Sequence, residues 1–373
     1  MKLLLIAGYP DSLLNFRGQL LKAMLAEGME VHVASPDLPA NSLIRQMLEV
    51  LGAQVHEVPL SRTGMNPVVD LSSIYALWRL IRRIRPDYTL GYTIKPVIYG
   101  SLAAWIARVP KRFALITGLG YAFQGVGSER SWLKIIVQNL YRLALSKVHT
   151  VFFQNPDDES LFYSLGIMQK EKKKSVVVNG SGVDVSGFDV APLPQTPRFL
   201  LIARLLGDKG VREYTRAATV VRQQHPEVQF GLVGWLDDNP DAISESELQI
   251  WVETGDVKFY GRLDDVKPKI TESSIYVLPS YREGTPRTVL EAMAMGRPII
   301  TTDAPGCRET VIDGYNGFLV PVKAVDELVL AMLRFIEKPE LISQMGIRSR
   351  QIAEEKYDVE KVNGHMLREM GIK

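Results

Sequence analysis

The sequence predicts an α/β protein of two Rossmann-like, doubly wound parallel-sheet domains facing a cleft. Short apolar runs alternate with amphipathic helical stretches along the whole chain, and strand–helix alternation makes parallel sheets with helices on both faces. A length of 373 residues is long for one core and comfortable for two. Midway, Ala191-Pro-Leu-Pro-Gln-Thr-Pro197 sets three prolines in seven residues, which marks a linker. The expected division is 1–190, completed by a C-terminal helix over 358–373 that crosses back, and 191–357.

In the first half, strands are expected near 2–7, 30–34, 53–58, 88–91, 112–116, 148–153 and 175–178, with helices near 13–27, 67–85, 95–107, 130–146 and 157–165. In the second half, strands are expected near 198–202, 228–233, 256–259, 274–278, 298–301 and 318–320. Its helices are expected near 209–224, 265–272, 286–295 and 325–337. The opening Met-Lys-Leu-Leu-Leu-Ile-Ala-Gly imitates a signal peptide. Its apolar run is too short and no small-x-small cleavage site follows, so it reads as a first strand closing on a glycine turn. No apolar stretch approaches the roughly 18 residues that span a bilayer.

Hydrophobic content of 46% with 23% charged residues describes a globular chain rather than a disordered one. One cysteine, Cys307, excludes an intrachain disulfide and fits a reducing cytosol. The net charge of +2 hides an asymmetry. Residues 1–190 hold 21 Lys and Arg against 15 Asp and Glu, and residues 191–373 hold 23 against 27, so the halves meet different surroundings.

The strongest local signal is Glu283-Gly-Thr-Pro-Arg-Thr-Val-Leu-Glu291. Thr285 can cap a helix, Pro286 suits its first position, and Gly296 then Pro298 end it. The free N–H groups and positive dipole end of that helix can hold a phosphate beside Glu283. Glu291, in the second turn, leans toward the same ligand. A second constellation follows the strand 198–202, where Arg204 and then Lys209-Gly210 stand at the mouth of the next helix. Two cations beside a strand end can grip a diphosphate, the arginine as a bidentate fork and the lysine as a point charge. Alternatively, both are solvated loop ends.

The ordered set Ala-Arg204-Leu with Lys209-Gly210, Gly261-Arg-Leu263, Pro279-Ser-Tyr-Arg-Glu283 through Glu291-Ala, Gly296-Arg-Pro with Gly306 and Glu309, and Asp313-Gly-Tyr-Asn-Gly317 resembles glycosyltransferase family 4. The resemblance spans the second domain and, more loosely, the first. It implies the GT-B fold and transfer of a sugar from a nucleotide diphosphate donor with retained anomeric configuration. By the same resemblance Arg204 and Lys209 neutralise the donor diphosphate, Glu283 contacts the donor sugar, and Glu291 binds the ribose hydroxyls. Gly284, Thr285, Pro286, Arg287 and Thr288, around the helix start, would lie over the sugar and phosphate, although Pro286 has no N–H to give. Leu263 looks like the residue whose backbone reads the base. Gly8, closing the first strand, would admit the diphosphate from the first domain, and Asn15 and Arg17 are acceptor candidates or plain solvated helix-start residues.

Ser61-Arg62 with Asn66-Pro67, and Arg112-Phe-Ala-Leu-Ile-Thr117-Gly-Leu-Gly120, resemble the bacterial members that add N-acetylhexosamines to polyprenyl-diphosphate-linked saccharides. Arg62 and Thr117 become acceptor-side candidates; the threonine is a departure, since members often place a histidine near this strand end. The resemblance implies a nucleotide sugar, with UDP as carrier, and a lipid-linked saccharide as partners. Nothing in the first domain supplies a carboxylate for double displacement. The family's front-face route instead lets the leaving phosphate oxygen take the acceptor proton, with cations stabilising the departing diphosphate.

No cofactor and no metal are expected. No Asp-x-Asp element is present, and His32, His56, His149, His225 and His365 lack ligand spacing. Trp78-Arg-Leu-Ile-Arg-Arg-Ile-Arg85 and Trp132 through Arg142 combine an apolar stripe with cations. They fit either packing on the sheet or an anionic membrane surface, which would place the protein in the cytoplasm at the inner face of the membrane. Lys172-Lys-Lys174 reads as a solvated turn. Nucleic acid is not indicated, because no recognition motif accompanies the mild charge bias. A dinucleotide oxidoreductase would need Gly-x-Gly-x-x-Gly after a strand, and Gly118-Leu-Gly120-Tyr-Ala-Phe lacks the third glycine. A nucleotide-sugar epimerase or binding scaffold of the same fold stays open.

Overall fold

The computed structural model describes residues 1–61, 66–118, 131–171 and 174–373, and of 131–133 the backbone alone. The chain divides into two compact units, Met1–Ser181 with Glu360–Lys373, and Gly182–Val359. Arg62, Gly120, Lys172, Lys173 and the side chain of Trp132 fall outside the described residues.

The first unit is built on β1 (Lys2–Ile6), β2 (Glu30–Ser35), β3 (Gln54–Glu57), β4 (Tyr88–Tyr92), β5 (Lys111–Ile116), β6 (Thr150–Phe153) and β7 (Lys174–Val177). Every neighbouring pair is parallel, in the order β3-β2-β1-β4-β5-β6-β7. A strand inside a parallel sheet needs apolar side chains on both faces, and β1 supplies them. Leu4 and Ile6 enter the core cluster with Leu77, Ile81 and Phe153, while Leu3 and Leu5 enter the opposite one with Leu21, Val33 and Leu90. Met366, Leu367 and Met370 of the C-terminal helix Val359–Met370 complete that second cluster.

The second unit repeats the plan with β8 (Arg198–Ile202), β9 (Gln229–Val233), β10 (Lys258–Phe259), β11 (Ile275–Leu278), β12 (Ile299–Thr302) and β13 (Gly317–Val320). These are all parallel, in the order β10-β9-β8-β11-β12-β13. Phe199 and Leu201 face one core, Leu200 and Ile202 the other.

Several local expectations change. The helix expected over 13–27 is two, Asp11–Asn15 and Gly18–Ala26, parted at Phe16-Arg17, where Gly18 weakens helix propagation. Asn15 thus ends a short helix instead of starting one. The stretch 95–107 opens as a π-turn, Pro96–Gly100, before the helix Ser101–Ile106. Helices Leu43–Leu51, Glu245–Glu253 and Glu340–Ile352 were not anticipated.

The unit boundary also differs. Residues 182–190, expected with the first domain, belong to the second unit, and the proline-rich stretch does not stand free. The reason is Arg297, whose guanidinium donates to the carbonyls of Ala191 at 2.7 Å and Pro192 at 3.1 Å and so fastens this stretch to the second unit.

Candidate active site

Two loops at the carboxyl edge of the second sheet come together on backbone contacts. The first, after β8, runs through Arg204 to a 3-10 turn, Gly207–Lys209, and the helix Val211–Gln224. Gly210 sits at φ 69°, and a Cβ there would lie 2.2 Å from the Pro279 carbonyl oxygen, so only glycine lets this turn meet the end of β11. The Tyr281 N–H donates to the Asp208 carbonyl at 2.8 Å and closes the junction. The second loop, after β11, is pinned from the other side. Glu283 N donates to the Pro305 carbonyl at 2.9 Å, and a Cβ at Gly306 would lie 2.1 Å from the Glu283 carbonyl oxygen.

These junctions bring Lys209 to Glu283, with Nζ 2.6 Å from Oε1. The same oxygen accepts from the Ser280 hydroxyl at 2.9 Å. Burial would lower the Lys209 pKa, but the carboxylates of Glu283 and Asp208 outweigh it and hold the ammonium above its ordinary value. Asp208 is raised by its own burial, against the pull of Lys209. Arg204 pairs with Asp237 at 3.3 Å on the loop after β9, and its charge still acts on both Lys209 and Asp208. The arrangement is a compact charged cluster with two cations and a carboxylate at its centre.

The helix over the second loop begins one residue later than expected. It spans Arg287–Ala294, with Pro286 as the extended N-cap residue and no side-chain cap bond. Thr285 therefore stands outside the helix rather than capping it. The Pro286 carbonyl accepts from Val289 and Leu290 at 3.1 and 3.3 Å. A helix leaves its first N–H groups without intrahelical partners, so positive potential gathers at this end. The Thr288 hydroxyl is turned inward, 2.6 Å from the Tyr276 hydroxyl and 3.4 Å from the Ile202 carbonyl, which leaves its backbone for any ligand. Glu291 is buried and receives Arg287 Nε at 2.8 Å. Burial raises its pKa, with Arg287 opposing.

Half-buried Leu263 packs on the core that holds Leu290 and Met293. Its loop brings Lys267 and Asp265 within electrostatic reach of Glu291. The second unit therefore gathers Arg204, Lys209, Glu283, Gly284, Arg287, Thr288, Glu291 and Leu263 along one edge of its sheet. Sequence reading gave no role to Ser280, Asp208, Asp237 or Tyr276, which orient these groups. Ser280 lies three residues before Glu283 and Asp208 directly before Lys209, so a search for hydroxyls and carboxylates beside the charged residues could have found both.

In the first unit, Gly8 is buried at the end of β1, and a Cβ there would lie 3.0 Å from Thr93 Oγ1. Asn15 is exposed, Thr117 is half-buried just after β5, and Arg17 is buried with its guanidinium carbon 5.2 Å from the Tyr92 ring centre. Arg17 is therefore not a solvated helix-start residue.

The family profile "Glycosyl transferases group 1" matches residues 196–338, and "Glycosyl transferase 4-like" matches residues 4–155. The first holds Arg204, Lys209, Glu283 and Glu291; the second holds Gly8, Arg17 and Thr117. The chain is a glycosyltransferase of family 4. This transferase is 29% identical over 356 residues to the N,N'-diacetylbacillosaminyl-diphospho-undecaprenol alpha-1,3-N-acetylgalactosaminyltransferase of Campylobacter jejuni, covering 92% of this chain and 91% of that one. It is 25% identical to the UDP-Gal:alpha-D-GlcNAc-diphosphoundecaprenol alpha-1,3-galactosyltransferase of Escherichia coli, over 74% and 73% of the two chains. Sucrose-phosphate synthase of Thermosynechococcus elongatus shares its fold with a TM-score of 0.80 at 18% identity, over 100% of this chain and 99% of that one. Anabaena HepE, solved in complex with UDP, shares it at 0.78 and 19%, over the whole of both chains. The family 4 transferase thus has the GT-B fold that its motifs implied.

Proposed function

We propose that this glycosyltransferase moves an N-acetylhexosamine from UDP to a polyprenyl-diphosphate-linked saccharide, with retained anomeric configuration, in the assembly of a bacterial cell-surface glycan. The observation that carries the donor half is the joined cluster of Lys209, Glu283 and Arg204 beside the start of the helix Arg287–Ala294. The acceptor half rests on the two undecaprenol-linked relatives, one of which is named for a UDP-sugar.

In this reading the donor diphosphate meets Lys209, Arg204 and the helix-start amides. Those cations and the dipole end offset charge on the leaving diphosphate where it develops. Glu283, set by Ser280 and the Pro305 carbonyl, accepts hydroxyls of the donor sugar. Glu291 exchanges Arg287 for the ribose hydroxyls, and the Leu263 backbone meets the base. The acceptor hydroxyl oxygen bonds to the anomeric carbon on the face that the phosphate leaves. Its proton passes to the departing phosphate oxygen, and UDP carries away the electron pair of the broken bond. Two protein cations supply the charge that a divalent ion would otherwise bring, so the reading needs no metal or cofactor.

Asn15, Arg17, Arg62 and Thr117 are assigned to the acceptor side in the first unit. Peripheral contact with the inner membrane face is assigned to the helices Pro67–Ile84 and Ser131–Leu145. Among the described residues no helix is long and apolar enough to cross a membrane.

Incubating the full chain with a panel of nucleotide sugars and an undecaprenyl-diphosphate saccharide tests the reading. Transfer from a UDP-N-acetylhexosamine, undiminished in EDTA and giving the donor's own anomer by NMR, is expected. Turnover of the nucleotide sugar without acceptor, giving an epimer, would overturn it.

A further inference from the structure

A buried cation with no counter-charge among the described residues lies at the carboxyl edge of the first unit's sheet. Arg17 is 3% exposed and stacks on Tyr92, whose hydroxyl lies 2.7 Å from that of Ser12. Among the described residues, Arg17 Nε has no hydrogen-bond partner and no carboxylate pairs with the guanidinium. Burial lowers its pKa to about 10, and only Tyr92 acts the other way, so the group is still protonated at neutral pH.

Taking a guanidinium out of water is costly, and a ring face returns only part of that cost. Sites where a fold gives up stability in this way gather where ligands bind. The surroundings fit such a site. Tyr92 ends β4, which pairs with β1, and parallel sheets bind ligands beyond the carboxyl ends of their strands. Thr93, next in sequence and against Gly8, holds φ 68°, a left-handed conformation that is strained for a β-branched residue.

We propose that Arg17 is an anion-binding residue of the first unit and takes a phosphate of a diphosphate ester. A planar fork with free N–H groups matches two phosphate oxygens at once, which a lysine would not. The glycosyltransferase reading enters only in naming the source, since a nucleotide donor and a lipid-linked acceptor each carry a diphosphate. A purely structural role for Arg17, as a stack on Tyr92, makes the opposite prediction about stability.

The test compares the full chain with Arg17→Met, which keeps the apolar bulk and removes charge and fork. Arg17→Met is expected to melt at or above the wild-type temperature while binding its diphosphate ligand on the order of 10- to 100-fold more weakly. A raised acceptor KM with unchanged UDP affinity assigns the lipid diphosphate, and weakened UDP affinity assigns the donor. Pyrophosphate titration in a Lys209→Ala background, where the second unit's cation is removed, reads Arg17 even if no sugar is ever transferred. Arg17→Lys provides the same readouts if the methionine variant does not fold. Constants within twofold of wild type for UDP, acceptor and pyrophosphate would overturn the proposal.

Discussion

Lys209 and Glu283, 74 residues apart in the chain, form a 2.6 Å ion pair at the junction of two loops. The contact makes the cation proposed for the diphosphate and the carboxylate proposed for the sugar one electrostatic unit. Glu283 is the largest support for the Lys209 charge against the cost of burial. Glu283→Gln is therefore expected to cut kcat on the order of 100-fold, because a neutral amide both loosens the sugar and leaves Lys209 less firmly charged. UDP affinity should change little, since Arg204 and the helix start remain. A radiolabelled transfer assay with UDP calorimetry checks this, and undiminished turnover would remove Glu283 from the site.

Glu291 gives a pH signature. Its carboxyl is raised above 4.5 by burial, with Arg287 opposing, so the folded state holds this proton more tightly than the unfolded chain does. Stability from this group is therefore present at low pH and lost as pH rises through the raised value. In the role proposed for Glu291 ligand binding runs the other way, because the ionised carboxylate is the stronger acceptor for two ribose hydroxyls. UDP affinity is expected to weaken on acidification at a higher pH than an ordinary carboxylate would give. Titration calorimetry of wild type and Glu291→Gln between pH 5 and 8 checks it; the variant should bind weakly and without that pH dependence.

The parallel strands were legible because each is a short apolar run, and β1 shows why: its Leu3, Leu4, Leu5 and Ile6 all have a core to enter. Helices were read less completely. Glu245–Glu253 carries a full capping box between Ser244 and Glu247, a local start signal that the sequence itself holds. Leu43–Leu51 has Ser42 as cap and Gly52 as stop, and its apolar residues 43, 44, 47, 48 and 51 recur at helical spacing, so its signal too is in the sequence, although only Leu48 is buried. At the site, the charged residues stood out by type and spacing. Ser280, three residues from Glu283, is a local support, whereas Asp237 and Tyr276 act through approaches that the folded sheet creates. Arg17 shows the same limit, since its burial depends on Tyr92 across the sheet.

Cys307 offers a probe of local opening. Its thiol is buried beside the Ser280 carbonyl and burial pushes its pKa up to about 12. The thiolate is the reactive form, so the native protein should resist thiol reagents at pH 8. Labelling is expected to track unfolding in urea and to slow when UDP is bound, because a ligand that binds only the folded state reduces opening. Stoichiometric labelling of the native chain within minutes would contradict the placement of this residue.

The helix Pro67–Ile84 carries a stripe that differs from the one its tryptophan suggested. Trp78 is half-buried against the core, whereas Val68, Leu71 and Tyr75 are 76%, 67% and 60% exposed. Exposed Arg79 and Arg82 continue the same helical face, so an apolar patch passes into a cationic one. The membrane contact proposed for this face is expected to fall on the order of tenfold in Leu71→Glu/Tyr75→Glu, through lost apolar area and added repulsion from anionic lipid. Flotation with vesicles containing phosphatidylglycerol measures it. Activity on a soluble, short-chain acceptor should be unaffected, which separates docking from chemistry.

Arg297 fixes where the second unit begins. The side chain is fully buried, and its five N–H donors reach the carbonyls of Ala191, Pro192, Ile270, Thr271 and Met295 at 2.7 to 3.1 Å. Burial lowers its pKa to about 10, which still leaves the cation intact at neutral pH. Arg297→Lys keeps a charge but offers three donors from one point, so it cannot reproduce the fork. Arg297→Met removes every donor and leaves five acceptors, three of them in residues 270–295 near the helix that ends at Ala294. Breaking a buried network of this kind is expected to cost roughly 3–5 kcal/mol, with lysine recovering only part of it. The stretch before Arg198 should then become the first site cut by thermolysin in the methionine variant. Chemical denaturation together with mapping of that first cut checks both halves; a variant as stable as wild type, cut elsewhere, would show that the proline-rich stretch holds its place without Arg297.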